Sequence, residues 1–470
     1  MGSSRDRTAT LVLGHLAGLR TDALGTLATA WLQQGDVARL RLGPPGLGAV
    51  GTLLVRPDHV HHVLVRNARN YQLSSAYEVL EGFLGDGLLT SHGEAWRGHR
   101  LLTQPAFTAS ALSAAAPHFV DAAADAVRRL DGLRGGTVDL AGEMARLTLD
   151  GVGRALFGAR LVEDAAEVAG ALRTVQDFTL RTVYAPVPGA LRPRLKDLPT
   201  PASARYRAAV RSLDRVVARV VDAGRLRPPG DDLLSLLLRS TSSGAGGDRQ
   251  VRDEVMTFLL AGHETTASAL TWTLGLLSRH PDVRRRVLAE LDAVLGGRAV
   301  HEADVPALPL LGAVLKESLR LFPPAWTLER RAQARDEVDG HVVPAGSTVV
   351  LSPYLTHRHP DVWDDPEGFD PDRWLGTGPD LPRGAYVPFG AGARRCIGGA
   401  FAVLEATLML ATLLRSTTID LAPATALRPV PRITLTAGAG LPASVRRREG
   451  VVRPSGDGSR PGARGAVRSG

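Results

Sequence analysis

Phe389-Gly-Ala-Gly-Ala-Arg-Arg-Cys-Ile-Gly-Gly399 contains the only cysteine, Cys396, in a chain of 470 residues. A lone cysteine closes no internal disulfide and makes neither a Cys-rich zinc site nor an iron–sulfur cluster. It can be the single thiolate ligand of a haem iron, to which it donates electron density that favours O–O cleavage. Such a ligand needs stabilisation and access. The sequence predicts a helix from about Gly399 to Arg415, so free backbone N–H groups and the positive end of the helix dipole would face the sulfur. Gly392 and Gly398 allow the backbone to turn tightly and approach a flat cofactor without a Cβ clash. Arg394 is placed to pair with a haem propionate, and Phe389 to pack beside the ligand loop. A buried, inert cysteine in a turn is the plain alternative. Phe389, Gly392, Arg394, Cys396 and Gly398, all within ten residues, weigh against it.

Ala261-Gly-His-Glu-Thr-Thr266 lies inside an apolar helix predicted over Val251–Arg279 and closed by His280-Pro281. An acid beside a hydroxyl in the middle of such a helix is locally unfavourable, because burying an unpaired carboxylate is costly. Exceptions of this kind are expected at functional sites. Gly262 removes a side chain, so a diatomic ligand could lie against the helix. Thr265 can bend the hydrogen-bond ladder through its hydroxyl and hold a water, and Glu264 can relay protons from solvent. A solvated glutamate and a back-bonded threonine would explain this motif alone; the presence of Cys396 favours a site. His263-Glu264 lacks the second histidine of a zinc-protease helix, since Ala267 stands in its place. Neither lysine precedes Ser or Thr as in a Walker A loop, and no Gly-x-Ser-x-Gly elbow occurs.

Glu317-Ser-Leu-Arg320 places an acid and an arginine three apart on one helix face. Leu315, Leu319, Leu321 and Phe322 surround the pair and Pro323-Pro324 ends the run, a context that suits a buried pair better than a solvated one. Trp96 and Arg100 fall one helical turn apart in Trp-Arg-Gly-His-Arg, and Arg330 stands in Leu-Glu-Arg-Arg.

Together these motifs resemble the cytochrome P450 family, in the family's order, from about Gly14-His-Leu to about Leu441. The resemblance implies Cys396 as the iron ligand, Glu264 and Thr265 as the acid–alcohol pair that delivers protons, and Ala261 beside the cofactor. It completes Glu317 and Arg320 with Arg373 from Pro371-Asp-Arg-Trp374, where Asp and Trp replace the usual Glu and Phe. It makes Trp96, Arg100 and Arg330 partners of the haem propionates. The implied fold is mainly α with small β-sheets, a triangular helical domain enclosing haem b.

Length and an apolar content of 44% suit one large globular domain. Short strands are predicted near Val37–Gly43, Thr52–Val55, Glu337–Val350 and Ile433–Leu435. Helices are predicted at Ala109–Leu130, Val138–Leu156, Ala204–Ala223 and Asp231–Leu238. No boundary divides the chain, so a single domain is expected over 1–445. The net charge of +8 suggests nucleic acid until it is located: seven arginines against Glu449 and Asp457 fall in 446–470. That Gly/Pro/Ser/Arg tail is expected to be disordered, either solvated or a tether. The body is close to balanced, and no nucleic-acid partner is expected. Ala9–Leu19 is too short and too interrupted to span a bilayer, and no cleavage pattern precedes it. A cytoplasmic monomer of bacterial origin is expected.

The family's chemistry implies a monooxygenase using O₂, with electrons from NAD(P)H delivered through a ferredoxin reductase and a ferredoxin. Arg394 and Arg395 would flank the docking side. Leu80, Phe83, Leu84, Phe178, Phe258, Ala261, Thr327, Leu328 and Leu441 are expected to line an apolar pocket. The Gly-His-Leu opening, the Gly-His-Glu-Thr-Thr helix and Leu-Glu-Arg-Arg-Ala resemble bacterial enzymes of secondary metabolism that oxidise terpenes. Polyketide, macrolide or fatty-acid substrates are the alternative. A peroxide-using or purely haem-binding protein is the alternative of another kind.

Overall fold

The computed structural model describes residues 14–43, 49–132, 136–187, 189–241, 245–438 and 440–448. Helices dominate. Those that frame the site are α1 Ser75–Leu84, α2 Gly93–Thr103, α3 Ala109–Asp131, α4 Leu140–Phe157, α5 Ala165–Val183, α6 Pro201–Leu226, α7 Ala245–Arg279, α8 Pro309–Leu321 and α9 Gly399–Ser416. The mainly α class with small sheets matches the sequence reading. Helix α7 is longer than expected at 35 residues, because its start reaches back to Ala245. Val138, expected in a helix, sits instead in the strand Thr137–Asp139, and the helix begins at Leu140, capped by Asp139 accepting from Ala141 N–H.

A five-stranded sheet orders its strands Val37–Leu42, Ala49–Leu54, Thr348–Leu351, Leu328–Ala332 and Tyr71–Leu73. It joins strands from 37–73 with strands from 328–351, with Gly51 registered parallel to Thr348 and Arg330 antiparallel to Val349. A three-stranded sheet places Pro442–Arg447 between Thr137–Asp139 and Thr417–Leu421. Arg446 and Arg447 therefore belong to a strand, paired with Thr418 and Thr417. The ordered chain extends past the expected boundary at 445, and 449–470 lies outside the described residues.

One apolar core runs through α3, α4, α7 and α9. Helix α7 crosses its centre. Thr148 of α4 donates to the His263 carbonyl at 2.8 Å, fixing the two helices at the turn that carries Glu264. His263 is itself buried, and burial lowers its pKa to about 4, so the imidazole is neutral there. Helix α9 is the one helix among the described residues long and apolar enough to cross a membrane, but it is mostly buried as a core helix.

Candidate haem site

Cys396 stands three residues before α9. Its N–H donates to the Phe389 carbonyl at 2.9 Å, closing the loop on itself. Gly392 has φ +72, and a Cβ there would lie 2.0 Å from the Leu64 carbonyl oxygen, so only glycine fits. Gly398 differs from expectation. Its φ is −85 and an added Cβ would meet Phe107 at an ordinary 3.6 Å, so no turn requires it. Burial raises the Cys396 thiol pKa, against the pull of the Gly398 N–H and the charges of Arg100 and Arg395. The helix terminus alone does not hold a thiolate here; a bound cation would.

Protein surrounds Cys396, yet its side chain is exposed. The same holds for Ala261, which is exposed within an otherwise buried stretch of α7. Both face accessible interior space. Gly262 does not: its missing side chain accommodates Val152 of α4, 3.1 Å from where a Cβ would sit. The expected space beside Gly262 thus belongs to helix packing, and Ala261, one position earlier on the helix, presents the open face.

Three arginines meet near Cys396, and among the described residues none of them pairs with a carboxylate. Arg394 donates to the Ser91 carbonyl at 2.7 Å, Arg100 to the Arg395 carbonyl at 3.0 Å, and Arg330 to the Glu329 carbonyl at 2.9 Å. Trp96 packs against two of them, with Arg394 4.7 Å and Arg100 5.8 Å from its ring centre. Burial, then Arg330 and Arg100, lowers the Arg394 pKa to about 10. Desolvated like charges held together without counter-ions call for an anionic ligand. A thiol, an open helix face and this arginine cluster fit haem with its two propionates. Arg394 is committed to Ser91 and Trp96, so of the two arginines expected to flank a donor only Arg395 is exposed.

The two members of the acid–alcohol pair have different partners. Thr265 Oγ1 donates to the Ala261 carbonyl at 2.7 Å. Glu264 turns away from it and accepts from Gln176 of α5 and from Thr434 Oγ1 at 2.9 Å. Burial raises its pKa, opposed by these bonds and by Arg432. Arg432 pairs with Asp177 at 2.9 Å on the more exposed side. Gln176 and Thr434 thus hold Glu264 directly, and the Arg432–Asp177 pair lies on its outer side, with Arg432 acting on it through charge alone. Motif reading missed all four partners, because they lie on a helix and a hairpin far away in sequence.

The expected triad is assembled. Glu317 and Arg320 are fully buried, joined at 2.8 and 2.9 Å, and Arg373 Nε reaches Glu317 at 3.1 Å. Arg320 also donates to the carbonyls of His357, Pro366 and Gly368, which holds the irregular segment leading to the cysteine loop.

The pocket expectations divide. Leu80, Phe178, Thr327 and Leu328 are half-buried and Ala261 is exposed. Phe83, Leu84 and Leu441 are core residues. The end of α1 is drawn inward because Arg252 donates to the Phe83 carbonyl at 2.9 Å. Leu441 adjoins the three-stranded sheet, its carbonyl accepting from Leu140. The hairpin tip that nears α7 is Arg432–Thr434, several residues before Leu441. Phe258 is buried and stacks on Phe107, centroids 5.4 Å apart. Phe107 thereby bridges α7 and Gly398, a role the sequence did not signal.

The family model of cytochrome P450 matches residues 8–441. Cyclooctatin synthase of Streptomyces melanosporofaciens is 39% identical over 417 residues, covering 86% of this chain and 87% of that protein. Cyclooctat-9-en-7-ol 5-monooxygenase of the same organism is 37% identical over 433 residues, covering 90% and 89%. Pentalenene oxygenase of Streptomyces avermitilis is 36% identical over 412 residues, covering 85% and 88%. A crystal structure of the cytochrome P450DA heme domain superposes with a TM-score of 0.81 at 29% identity, covering 93% of this chain and 96% of that one. With the cysteine loop, the arginine cluster and the buried triad in their places, the chain belongs to the cytochrome P450 family and is a monooxygenase of that family.

Proposed function

We propose that this monooxygenase oxidises a terpenoid in bacterial secondary metabolism, with electrons passed from NAD(P)H by a ferredoxin reductase and a ferredoxin. The observation that supports the oxygenase chemistry most directly is Glu264, held by Gln176 and Thr434 beside the open face of Ala261 and Thr265. Haem, when bound through Cys396, supplies the activation of O₂ and the insertion of one oxygen atom into a C–H bond. The protein's own groups do the rest. Arg100, Arg330 and Arg394 with Trp96 would hold the propionates. Glu264, held by Gln176 and Thr434 and raised in pKa by burial, would supply protons to the open face beside Thr265. The half-buried apolar residues Leu80, Phe178 and Leu328 exclude water and position a hydrophobic substrate.

The terpenoid reading draws support from three relatives whose names describe oxygenation or synthesis of cyclooctatin and pentalenene compounds. The ferredoxin reading draws support from the exposed Arg395 next to Cys396, which would attract an acidic donor. A cytoplasmic location fits both.

The test is reconstitution of the purified holoenzyme with a plant-type ferredoxin, its reductase and NADPH under ¹⁸O₂, against a panel of cyclic terpenes, macrolides and fatty acids. A terpene product carrying one ¹⁸O atom, dependent on ferredoxin, is the expected result. Oxidation of only macrolides or fatty acids would overturn the substrate reading, and product only with added peroxide would overturn the electron route.

A further inference from the structure

His99 belongs to the same Trp-Arg-Gly-His-Arg turn of α2 as Trp96 and Arg100, yet it takes no part in the arginine cluster. Consecutive helical residues point about 100° apart, and His99 turns from Arg100 into the interior, where it is buried. Its Nδ1 lies 2.6 Å from Oε1 of Glu254, a residue of α7 with no exposed surface. Neither atom meets another hydrogen-bonding group among the described residues. Glu254 raises the His99 pKa against the effect of burial, and Asp86 and Asp253 add to it, so the imidazole holds its second proton more firmly than a free one does. The same stretch of α7 holds the loop between α1 and α2. Glu254 Oε2 accepts from the Leu88 N–H at 3.3 Å, and Asp253 accepts from the Asp86 N–H at 3.0 Å. A Cβ on Gly87 would come 2.6 Å from Thr257 Oγ1, so this loop lies directly against the helix. The loop runs on to Ser91, whose carbonyl accepts from Arg394. Glu254 thus meets both the helix that carries Trp96 and Arg100 and the loop that leads to the acceptor of Arg394.

We propose that His99 and Glu254 are positioning residues for the cofactor: their buried contact sets the rotation and depth of α2 against α7, and so the reach of Arg100 and Trp96 toward a haem propionate. The inference rests on the haem site and not on the terpenoid reading. A buried ion pair is a costly way to join two helices, because apolar side chains of similar volume hold them as well or better. What such a pair adds is a fixed distance and direction between two atoms. That precision matters where a neighbouring side chain must meet a rigid ligand. Arg100 follows His99 directly, one helical rise of about 1.5 Å further on, so any rotation or slide of α2 that opens the His99 contact displaces Arg100 as well. Trp96 lies one turn back on the same helix and moves with it. On its other side α2 is tied only to the cysteine side of the site, through Arg100 to the Arg395 carbonyl and through Trp96 to Arg394. His99 and Glu254 supply the matching tie to α7, the helix whose open face at Ala261 lies beside the cofactor.

The experiment follows haem transfer from the ferric holoenzyme to excess apomyoglobin and records the propionate bending bands in the resonance Raman spectrum of the holoenzyme. Wild type, His99→Gln, Glu254→Gln and the double variant are compared. Each single variant should release haem about tenfold faster, the effect of one lost hydrogen bond to a charged group, and should show shifted propionate bands. The double variant should be no faster than the faster single one, because the two residues act as a pair. The red-shifted Soret band of the reduced, CO-bound form should persist in all three, since Cys396 is untouched. Glu254→Asp draws the carboxylate back by one methylene and should give smaller changes of the same sign, so the comparison stands even if a glutamine variant does not fold. Propionate bands at their wild-type positions in the variants would leave the pair a merely structural role and overturn the proposal. So would haem release at the wild-type rate, or rate increases that add in the double variant. Absence of the red-shifted band from wild type would overturn the haem site itself, and the positioning role with it.

Discussion

The indole N–H of Trp374 donates to Glu317 Oε2 at 2.8 Å. The residue that departs from the family's Pro-Glu-Arg-Phe pattern thus adds a bond to the buried carboxylate instead of merely filling space. Glu317 also accepts from Arg320, Arg373 and the Asp370 N–H. Trp374→Phe should cost about 1.5–3 kcal/mol, the range for a hydrogen bond to a charged group. Glu317→Ala should cost about 3–5 kcal/mol, because it leaves the fully buried Arg320 unpaired. Urea unfolding of both variants checks the order. A Trp374→Phe protein as stable as wild type would show that the bond contributes nothing.

The two glycines flanking Cys396 should respond oppositely. Gly392→Ala puts a Cβ 2.0 Å from backbone and in a left-handed conformation, so the loop must move. Loss of the red-shifted Soret band in the reduced, CO-bound difference spectrum is expected. Gly398→Ala meets only the Phe107 ring at contact distance and should keep that band. Equal spectra for the two variants would contradict this account of the loop.

Glu264→Gln keeps the shape of the side chain but removes its proton-donating capacity. Product formed per NADPH consumed should fall steeply, by about 100-fold, the lower end of the range for a positioned acid. NADPH consumption should continue. Thr434→Val, which removes one of the two direct partners of Glu264, should lie between that variant and wild type. Unchanged coupling in Glu264→Gln would remove Glu264 from the proton route.

What the sequence disclosed and what it hid follow from how far apart the interacting residues are. Cys396, Gly392 and Phe389 interact within one loop, so their spacing carried their roles. Glu317 with Arg320 is a local i,i+3 pair in an apolar run, and its burial was legible. The positions of Trp96, Arg100 and Arg330 could be read, but not the contact of Arg394 with the Trp96 ring, which joins separate elements. The partners of Glu264 come from α5 and from a hairpin about 170 residues on, and no local pattern announces them. Gly262 was misread for a related reason. Which side of an apolar helix faces a neighbouring helix and which faces open space depends on packing against α4, and the helix is apolar on both.

Glu405 carries a pH-dependent part of the stability. It sits on α9 with no exposed surface, and neither carboxyl oxygen has a hydrogen-bond partner. Its neighbours are Thr266 from α7, Gly151 from α4, where a Cβ would come within 3.2 Å of Oε1, Phe119 from α3 and Met409 on its own helix. None of these is charged. Burial therefore dominates and lifts the carboxyl from 4.5 to about 8, with Thr266 acting weakly the other way. In the unfolded chain the group ionises near its ordinary value. Below that value both states are protonated and the stability is fully present. Between the two values folding takes up a proton, so stability falls as pH rises, by about 1.4 kcal/mol per unit, and levels off above the folded value. Glu405→Gln is neutral throughout and should lack this slope. Urea unfolding of wild type and variant at pH 5, 6, 7 and 8 should therefore give curves that diverge, the variant gaining on wild type at each step. Parallel curves would mean that the folded carboxyl titrates as an ordinary glutamate, and that its enclosure by α3, α4 and α7 does not keep it neutral.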